Sequence, residues 1–487
     1  MDELVAKNSR NLSCCSDIKY LMLFFVINLC LIHPQHVNAQ AYIKLEGRVL
    51  SALTKKPIPY ANIKHDTDGV FTNNDGKFRF SFLKDSLTPS DTLYISSIGY
   101  RTSKVLLDTI KGDYNYTIWM KEDILKLDEI VIKGKKEKLN VVDVVNEAIK
   151  NIENNSYSGE YGLEAFYRQT HYFTNVVSGE INYLRYMEAA VLLQNGERGY
   201  KSFVKEVRRS NDFRTSNQNL YKGDEEDERF KFEDYFLKLD CSKPLERSNT
   251  RIYNSAFSLL DPILSNLNND FVYRHKFKLD SIANLDGELV YVIKILPSKN
   301  STLINLGGSS NILLPIGRLV IAAKDYSILE FQYSYIINPK KKANTYVKLI
   351  KIISQGNVLF NDVVRFKKNN GKLYLSYLMR DQGDTLFMGG YKSSGLMRAK
   401  VSARDEIDNG YFRIRRELVV TKFINSSQLN EEGLHANYKS VFPKSYLYDR
   451  KFWNRYNLLS NTKAETKLLK DLGKGIPIEQ QFEQNGK

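Results

Sequence analysis

The sequence predicts a mainly β protein in two parts: a small N-terminal sandwich, and a large antiparallel, curved sheet with one helix packed on it. Three observations carry this reading. The 487 residues include 31 Tyr and 25 Phe but only 2 Trp and 11 Pro, and Tyr and Phe stiffen strands and fill sheet faces. Apolar and polar residues alternate with a period of two, as in Lys77-Phe78-Arg79-Phe80-Ser81-Phe82, which puts one face of a strand inside and the other in water. Turn signals rich in Gly, Asn and Asp separate these runs at the spacing of sandwiches and meanders. A chain this long divides into two or three domains.

In the first part, residues 46–51, 60–65, 76–82, 91–96, 100–107 and 114–121 read as strands. Asn74-Asp75-Gly76 supplies positive-φ residues for a tight hairpin, which predicts that 70–72 and 77–82 pair as neighbours. Ile-Pro-Tyr-Ala-Asn at 58–62, the run from Thr72 through Phe78, and Ser96-Ser97-Ile98-Gly99-Tyr100 closely resemble the carboxypeptidase regulatory-like domain. That family is a transthyretin-like sandwich found on many envelope proteins of Gram-negative bacteria. The resemblance implies a seven-stranded-type β-sandwich over residues 40–121 and an accessory module without catalytic residues. Its motifs at 59–62 and 96–100 are carried over as core and turn positions, with Tyr100 covering the core edge.

The family name does not bring a peptidase with it. A zinc carboxypeptidase needs a His and a Glu close together, a distant second His and a catalytic carboxylate. Glu432 does precede His435 by three residues, but the order is the reverse of the peptidase motif and Gly433 lies between them. No catalytic, cofactor-binding or metal-binding residues are assigned, and no enzyme activity is expected.

Residues 122–138 read as a linker. Its segment from Leu127 through Lys133 is similar to one that follows this domain in TonB-dependent outer-membrane receptors, where a partner can add it as a strand. Strand addition at Leu127–Lys133 is therefore a partner expectation. Residues 139–154 place Val141, Val145, Ala148 and Ile152 at helical spacing and predict a helix docked on a sheet.

The remainder, 139–487, is expected to form one antiparallel β-rich domain. Strands are predicted at 162–173, 181–193, 271–280, 288–296, 317–324, 327–337, 346–354, 357–366, 372–380 and 411–422. Asp286-Gly287, Lys324-Asp325-Tyr326 and Asn369-Asn370-Gly371-Lys372 mark hairpins between them. The hairpin at 317–330 resembles one common in the half-barrels of lipoprotein-carrier proteins. The acidic run at 224–228 reads as a solvated loop or helix start, and 257–267 as a short helix. The aromatic, basic cluster at 446–457 reads as burial against the sheet.

Lys19, an apolar run over 20–32 and Val37-Asn38-Ala39 form the pattern of a secretory signal peptide over 1–39. Cys14, Cys15 and Cys30 fall inside it, leaving Cys241 as the one thiol of the mature chain. Lys and Arg outnumber Asp and Glu by 15, yet the charge is spread, and an exported protein is not expected to bind nucleic acid. The expected function is a non-catalytic, exported binding or scaffold module of the periplasm or the inner face of the outer membrane, with an envelope protein, lipid or glycan as ligand. The alternatives are a lipid or lipoprotein carrier, which requires an apolar trough, and a polysaccharide hydrolase, which requires two carboxylates across a cleft.

Overall fold

The computed structural model describes residues 42–83, 87–88, 90–107, 115–125, 139–157, 159–175, 181–196, 199–210, 267–298, 313–338, 358–388, 391–394, 397–400, 409–431 and 448–484. The leader, Cys241, the acidic run at 224–228, the strand expected at 346–354, Glu432 with His435, and all of 257–267 but Leu267 lie outside the described residues. Leu127–Lys133 does as well.

Seven strands build the sandwich: β1 (Tyr42–Ser51), β2 (Asn62–His65), β3 (Asp68–Phe71), β4 (Lys77–Leu83), β5 (Thr92–Ser96), β6 (Ser103–Leu106) and β7 (Asn115–Met120). One sheet runs β4–β1–β7, with β1 and β7 parallel; the other runs β3–β2–β5–β6. The alternating Phe78, Phe80 and Phe82 are buried against Leu45, Ile63 and Leu93, as their period of two demands.

The hairpin expected between 70–72 and 77–82 does not form. Val70 pairs with Ile63 on β2, whereas Phe80 pairs with Leu45 on β1. A two-residue hairpin turn of the favoured type needs two consecutive positive-φ residues, and of Asn74, Asp75 and Gly76 only Gly76 has one. Asn73 Oδ1 accepts from the backbone N–H of both Asp75 (2.9 Å) and Lys77 (3.0 Å). The turn is thus a corner that hands the chain from one sheet to the other.

The large sheet is a curled antiparallel half-barrel. Its strands are β8 (Ile124–Leu125), β9 (Tyr161–Asn175), β10 (Ile181–Gly196), β11 (Gly199–Arg209), β12 (His275–Leu285), β13 (Glu288–Pro297), β14 (Leu313–Ala322), β15 (Ile328–Ile337), β16 (Val358–Asn369), β17 (Lys372–Met388) and β20 (Asn409–Asn425), with β18 (Tyr391–Ser394) and β19 (Met397–Lys400) as a hairpin beyond β17. The ladder runs β11–β10–β9–β20–β17–β16–β15–β14–β13–β12–β8. Asp286 with Gly287, and Asn370 with Gly371, take the consecutive positive φ values of tight hairpins, and Tyr326 takes one as well. The expected linker opens as β8, which joins the sheet through Leu125 opposite Ile282.

Residues 271–274 belong to a helix: Asn268 Oδ1 caps it by accepting from Phe271 N–H at 3.0 Å, and the strand starts only at His275. β11 was not foreseen, since Gly199–Arg209 is too rich in charge to show an apolar face.

The helices are α1 (Val141–Lys150), α2 (Ile152–Asn155), α3 (Asn269–Arg274), α4 (Ser426–Glu431), α5 (Arg450–Arg455), α6 (Lys463–Leu472) and α7 (Ile478–Gln484). Among the described residues, no helix is long and apolar enough to cross a membrane. Val144, Val145 and Ala148 of α1 and Phe271 of α3 enter one core with Leu163, Ala165, Leu319 and Ile293, so these helices cover one face of the half-barrel. Phe71 of the sandwich and Trp453, Leu458 and Leu459 of the C-terminal segment cover the other, packing on Phe166, Val363, Tyr377 and Val419. The aromatic cluster at 446–457 is therefore buried against the sheet where described: Trp453 is 2% exposed and lies under the Arg208 guanidinium, 4.4 Å from the ring centre.

A buried ion lattice clamps this C-terminal segment. Arg168 donates to Glu188 at 2.8 Å and 3.0 Å and to Leu459 O at 2.7 Å, and reaches Glu465 at 3.1 Å. Arg208 Nε donates to the other Glu188 oxygen at 2.6 Å. Burial works against the Glu188 carboxylate, but Arg208 and Arg168 outweigh it and hold its pKa below the ordinary value. Its stabilising contribution is therefore complete above the unfolded-state pKa and is lost as pH falls through the lowered folded value. We expect Glu188→Ala, which removes the carboxylate shared by two buried guanidinium groups and leaves Arg168 only Glu465 and Leu459 O, to cost about 3–5 kcal/mol in urea unfolding at pH 7, and to cost less at pH 3.

Candidate functional site

Where the sandwich faces the half-barrel, the walls do not close. They leave a cleft of about 700 Å³, lined from the sandwich by Tyr60, Lys64, Gly69 and Ile98 among others, and from the half-barrel by Arg318, Glu330, Arg365 and Lys367 among others. Val363, Arg365 and Lys367 of β16 stand on this side at a period of two, while Val364 enters the helix-covered core; Phe366, next to a register shift at Arg365/Phe366, belongs to that core and also reaches the cleft wall.

The joints around the cleft are explicit. Ser96 and Thr102 hydroxyls donate to Asp286 at 3.1 Å and 3.2 Å, and Gly99 N–H donates to Asn284 O at 3.3 Å. Asp68 of β3 pairs with Lys422 of β20, which sews a sandwich strand to the half-barrel. Tyr60, at a φ of +56°, turns its ring onto Tyr377 at 5.1 Å, and its carbonyl accepts from Arg365 at 3.2 Å. On the far side Asn73 donates to Ser460 O at 3.1 Å, Arg79 donates to Asn454 O at 3.0 Å, and Asp75 accepts from Lys463 N–H at 2.7 Å.

Most charges in the wall are matched. Glu330 is 1% exposed and takes Arg365 at 2.7 Å on one oxygen and Arg318 on the other. Despite its burial, these two cations keep it ionised with a lowered pKa. Lys368 bridges Glu288 and Asp325, each at 2.9 Å, and Arg415 pairs with Glu417 at 2.8 Å. Lys367 is different. Its amine donates to the Asn62 amide oxygen at 2.6 Å and lies 4.8 Å from the centre of the Phe71 ring. Among the described residues no carboxylate comes within ion-pair distance of it. Burial lowers its pKa to about 8; Asp286 opposes the shift and the like charge of Lys64 adds to it. Burial also raises the pKa of Asp68, against the pull of Lys422. A second perturbed carboxyl, Glu206, is pushed up to about 7 by burial and by Asp449, next to α5 and away from the cleft.

Of the residues singled out in the sequence, Tyr100 covers the sandwich core edge as expected and also lines the cleft. His65 sits 3.5 Å from Asp91, and His275 is held between Phe271 O (2.8 Å) and the Tyr333 hydroxyl (2.9 Å). The reading of the sequence missed Glu330, Arg365 and Lys367. The available signal was a charge set at every second position inside otherwise apolar strands, as in Val363-Val364-Arg365-Phe366-Lys367, which asks for a buried partner or a ligand.

The Lys367 geometry has a measurable consequence. Between about pH 8 and the ordinary lysine range, the unfolded chain binds a proton that the folded chain does not, so stability rises with pH there. We expect Lys367→Met to be more stable than the wild type by about 2 kcal/mol at pH 7, and urea titrations at pH 10 to show that gap largely closed.

Residues 45–132 match the family model described as the CarboxypepD_reg-like domain. No curated protein matches the chain. Two similar solved structures are a DUF1329 family protein from Desulfovibrio piger, at 10% identity and TM-score 0.20 over 58% of this chain and 94% of that one, and a protein from Bacteroides fragilis described as membrane-associated and of unknown function, at 9% identity and TM-score 0.14 over 79% of this chain and 99% of that one. At these scores neither likeness bears on the fold. The residues that match the CarboxypepD_reg-like model thus take in the seven-stranded sandwich, which is joined to a half-barrel.

Proposed function

We propose that this chain is an exported, non-catalytic binding protein of the cell envelope, with the cleft between sandwich and half-barrel as its ligand site. One observation carries the reading: a space of about 700 Å³ whose walls come from both modules and whose lining mixes aromatic rings with charged side chains. That size falls within the usual range of ligand pockets. Export rests on the leader pattern at 1–39.

A binding site also fits the geometry better than a lipid-carrying trough does. The apolar face of the half-barrel is filled by Val144, Val145 and Ala148 of α1 and Phe271 of α3, and the opposite face carries the ion pairs of Glu188, Glu330 and Glu417. A carrier would need one of these faces apolar and open.

The test compares the wild type with Ser97→Trp, which puts an indole into the cleft from the sandwich side. Neutral glycans, acidic glycans and lipid headgroups are screened by thermal shift. At least one class should raise the Tm of the wild type and not that of the filled variant; if every class treats the two proteins alike, the cleft is not the ligand site. For location, fractionation with a carbonate wash should find a shortened chain in the periplasmic or peripheral membrane fraction. Recovery in the cytoplasm at full length would contradict export.

A further inference from the structure

Resting on the cleft as ligand site, we infer that it takes a ligand through an anionic oxygen group, a phosphate or carboxylate, seated on the Lys367 amine, with Lys64 facing that amine and Lys422 elsewhere on the same wall. Arg318 and Arg365 are engaged by Glu330, Lys368 by Glu288 and Asp325, and Arg415 by Glu417. Three cations of the wall remain without an ion pair among the described residues: Lys64, Lys367 and Lys422. Two carboxyl groups stand near them, neither within ion-pair distance. Asp286 accepts from Ser96 and Thr102, and burial favours the neutral form of Asp68.

Lys367 is the centre of the group because its amine is held but not satisfied. An ammonium has three N–H donors; one is given to Asn62 Oδ1, and the Phe71 ring lies on another side. A buried ammonium with only an amide oxygen as partner is costly in the empty protein, and an anion removes that cost. Gly69 leaves the approach open. A Cβ there would lie 3.4 Å from the Lys367 nitrogen and 3.3 Å from Ile63 O, so any larger residue would crowd the amine. Phe71, Ile98 and Tyr374 supply apolar surface in the same cleft, which suits an anion carried on a ring or a short apolar body.

The charged groups facing the amine are Asp286 from the β12–β13 turn and Lys64 from β2. With its pKa near 8, the amine is about half protonated at pH 8, and a bound anion draws a proton onto it. Binding is then accompanied by proton uptake, and the measured heat depends on the ionisation heat of the buffer.

The experiment is isothermal titration of the full mature chain at pH 8, in two buffers of different ionisation heat. The ligands are inorganic phosphate, phenyl phosphate, benzoate and phenol, with vesicles of phosphatidylglycerol or of phosphatidylcholine as separate arms. The proteins are the wild type, Lys367→Met and, as a control on the same sheet outside the cleft, Lys278→Met. We expect phenyl phosphate or benzoate to bind with proton uptake and phenol to bind far more weakly. Lys367→Met should lower affinity about tenfold or more, as loss of a charge-assisted hydrogen bond implies, and abolish the proton uptake while keeping at least the wild-type Tm. Lys278→Met should change neither. The same loss seen only with phosphatidylglycerol vesicles assigns the anion to a lipid headgroup; seen with the soluble ligands, it assigns a free anion. Affinity unchanged by Lys367→Met overturns the inference. Phenol binding as tightly as phenyl phosphate also overturns it but leaves the cleft as a ligand site, whereas no binding in any arm, together with no difference from Ser97→Trp in the thermal screen, overturns both.

Discussion

A half-barrel of eleven strands has two faces to hide, and the helices, the sandwich and the C-terminal segment that are described cover them. On one face α1 and α3 lie over Leu163, Ala165, Leu319 and Ile293. Neither helix is long enough to be stable alone in water; each is held by the apolar surface it covers. Among the described residues, no helix between β-strands lies on the opposite face. It is covered from the two ends of the described chain, by Phe71 and Tyr60 of the sandwich and by Trp453, Leu458 and Leu459 of the C-terminal segment. The sandwich thus shares a core with the large module, and the cleft is the space left where the sandwich and the half-barrel do not close on each other.

The second face is also where charge enters the interior. Glu188, Glu330 and Glu417 are each at most 2% exposed, and each is met by arginine: Arg168 and Arg208, Arg318 and Arg365, Arg415. Carboxylates buried this way recover their desolvation cost only through close, hydrogen-bonded partners, and the planar guanidinium offers several donors in fixed directions. Such lattices are sensitive to position, because an arginine displaced by one strand residue would point to the other face. The pairs that cross strands fix the register of β9, β10 and β11 and of β14, β15 and β16 on the covered side. Lys367 lies in the same row and breaks its rule, having an amide oxygen where its neighbours have carboxylates. A buried structural cation is normally matched, and the anion proposed above would supply the match that this one lacks.

Much of this was legible in the sequence where a local rule decides the outcome. Asp286-Gly287 and Asn370-Gly371 form hairpins because two adjacent positive-φ residues match the twist of the strands they join. The three alternate Phe of β4 had one possible side to face. The α1 helix was visible from its apolar spacing, and Asn140 supplies its N-cap at 3.2 Å from Val142 N. Local rules failed where the partner is remote. Nothing within residues 70–82 reveals that β3 and β4 belong to different sheets; the pairings with Ile63 and Leu45 decide it. Phe271–Arg274 has the composition of a strand, and only the cap from Asn268 and the docking of Phe271 turn it helical. The cleft was least visible of all, since Tyr60, Lys367 and Arg415 are brought together from three separated stretches of chain.

The way the sandwich is fastened determines how such a cleft can work. At one edge β8 pairs with β12, Gly99 bonds to Asn284, and Asp286 takes two hydroxyls from the sandwich. At the other edge Asn73, Asp75, Arg79 and Ser81 bond to the segment between Asn454 and Lys463. Between the two lie the Asp68–Lys422 ladder pair and the Tyr60 contacts. A module attached by a single flexible joint would swing, and a ligand would lose affinity to the entropy of stopping it. Fastened along both edges, the walls already stand where a ligand meets them, so that the cost of ordering has been met by folding and the binding energy is retained. The same fastening ties ligand to stability, for whatever binds between the walls binds only the folded chain and shifts its unfolding by mass action.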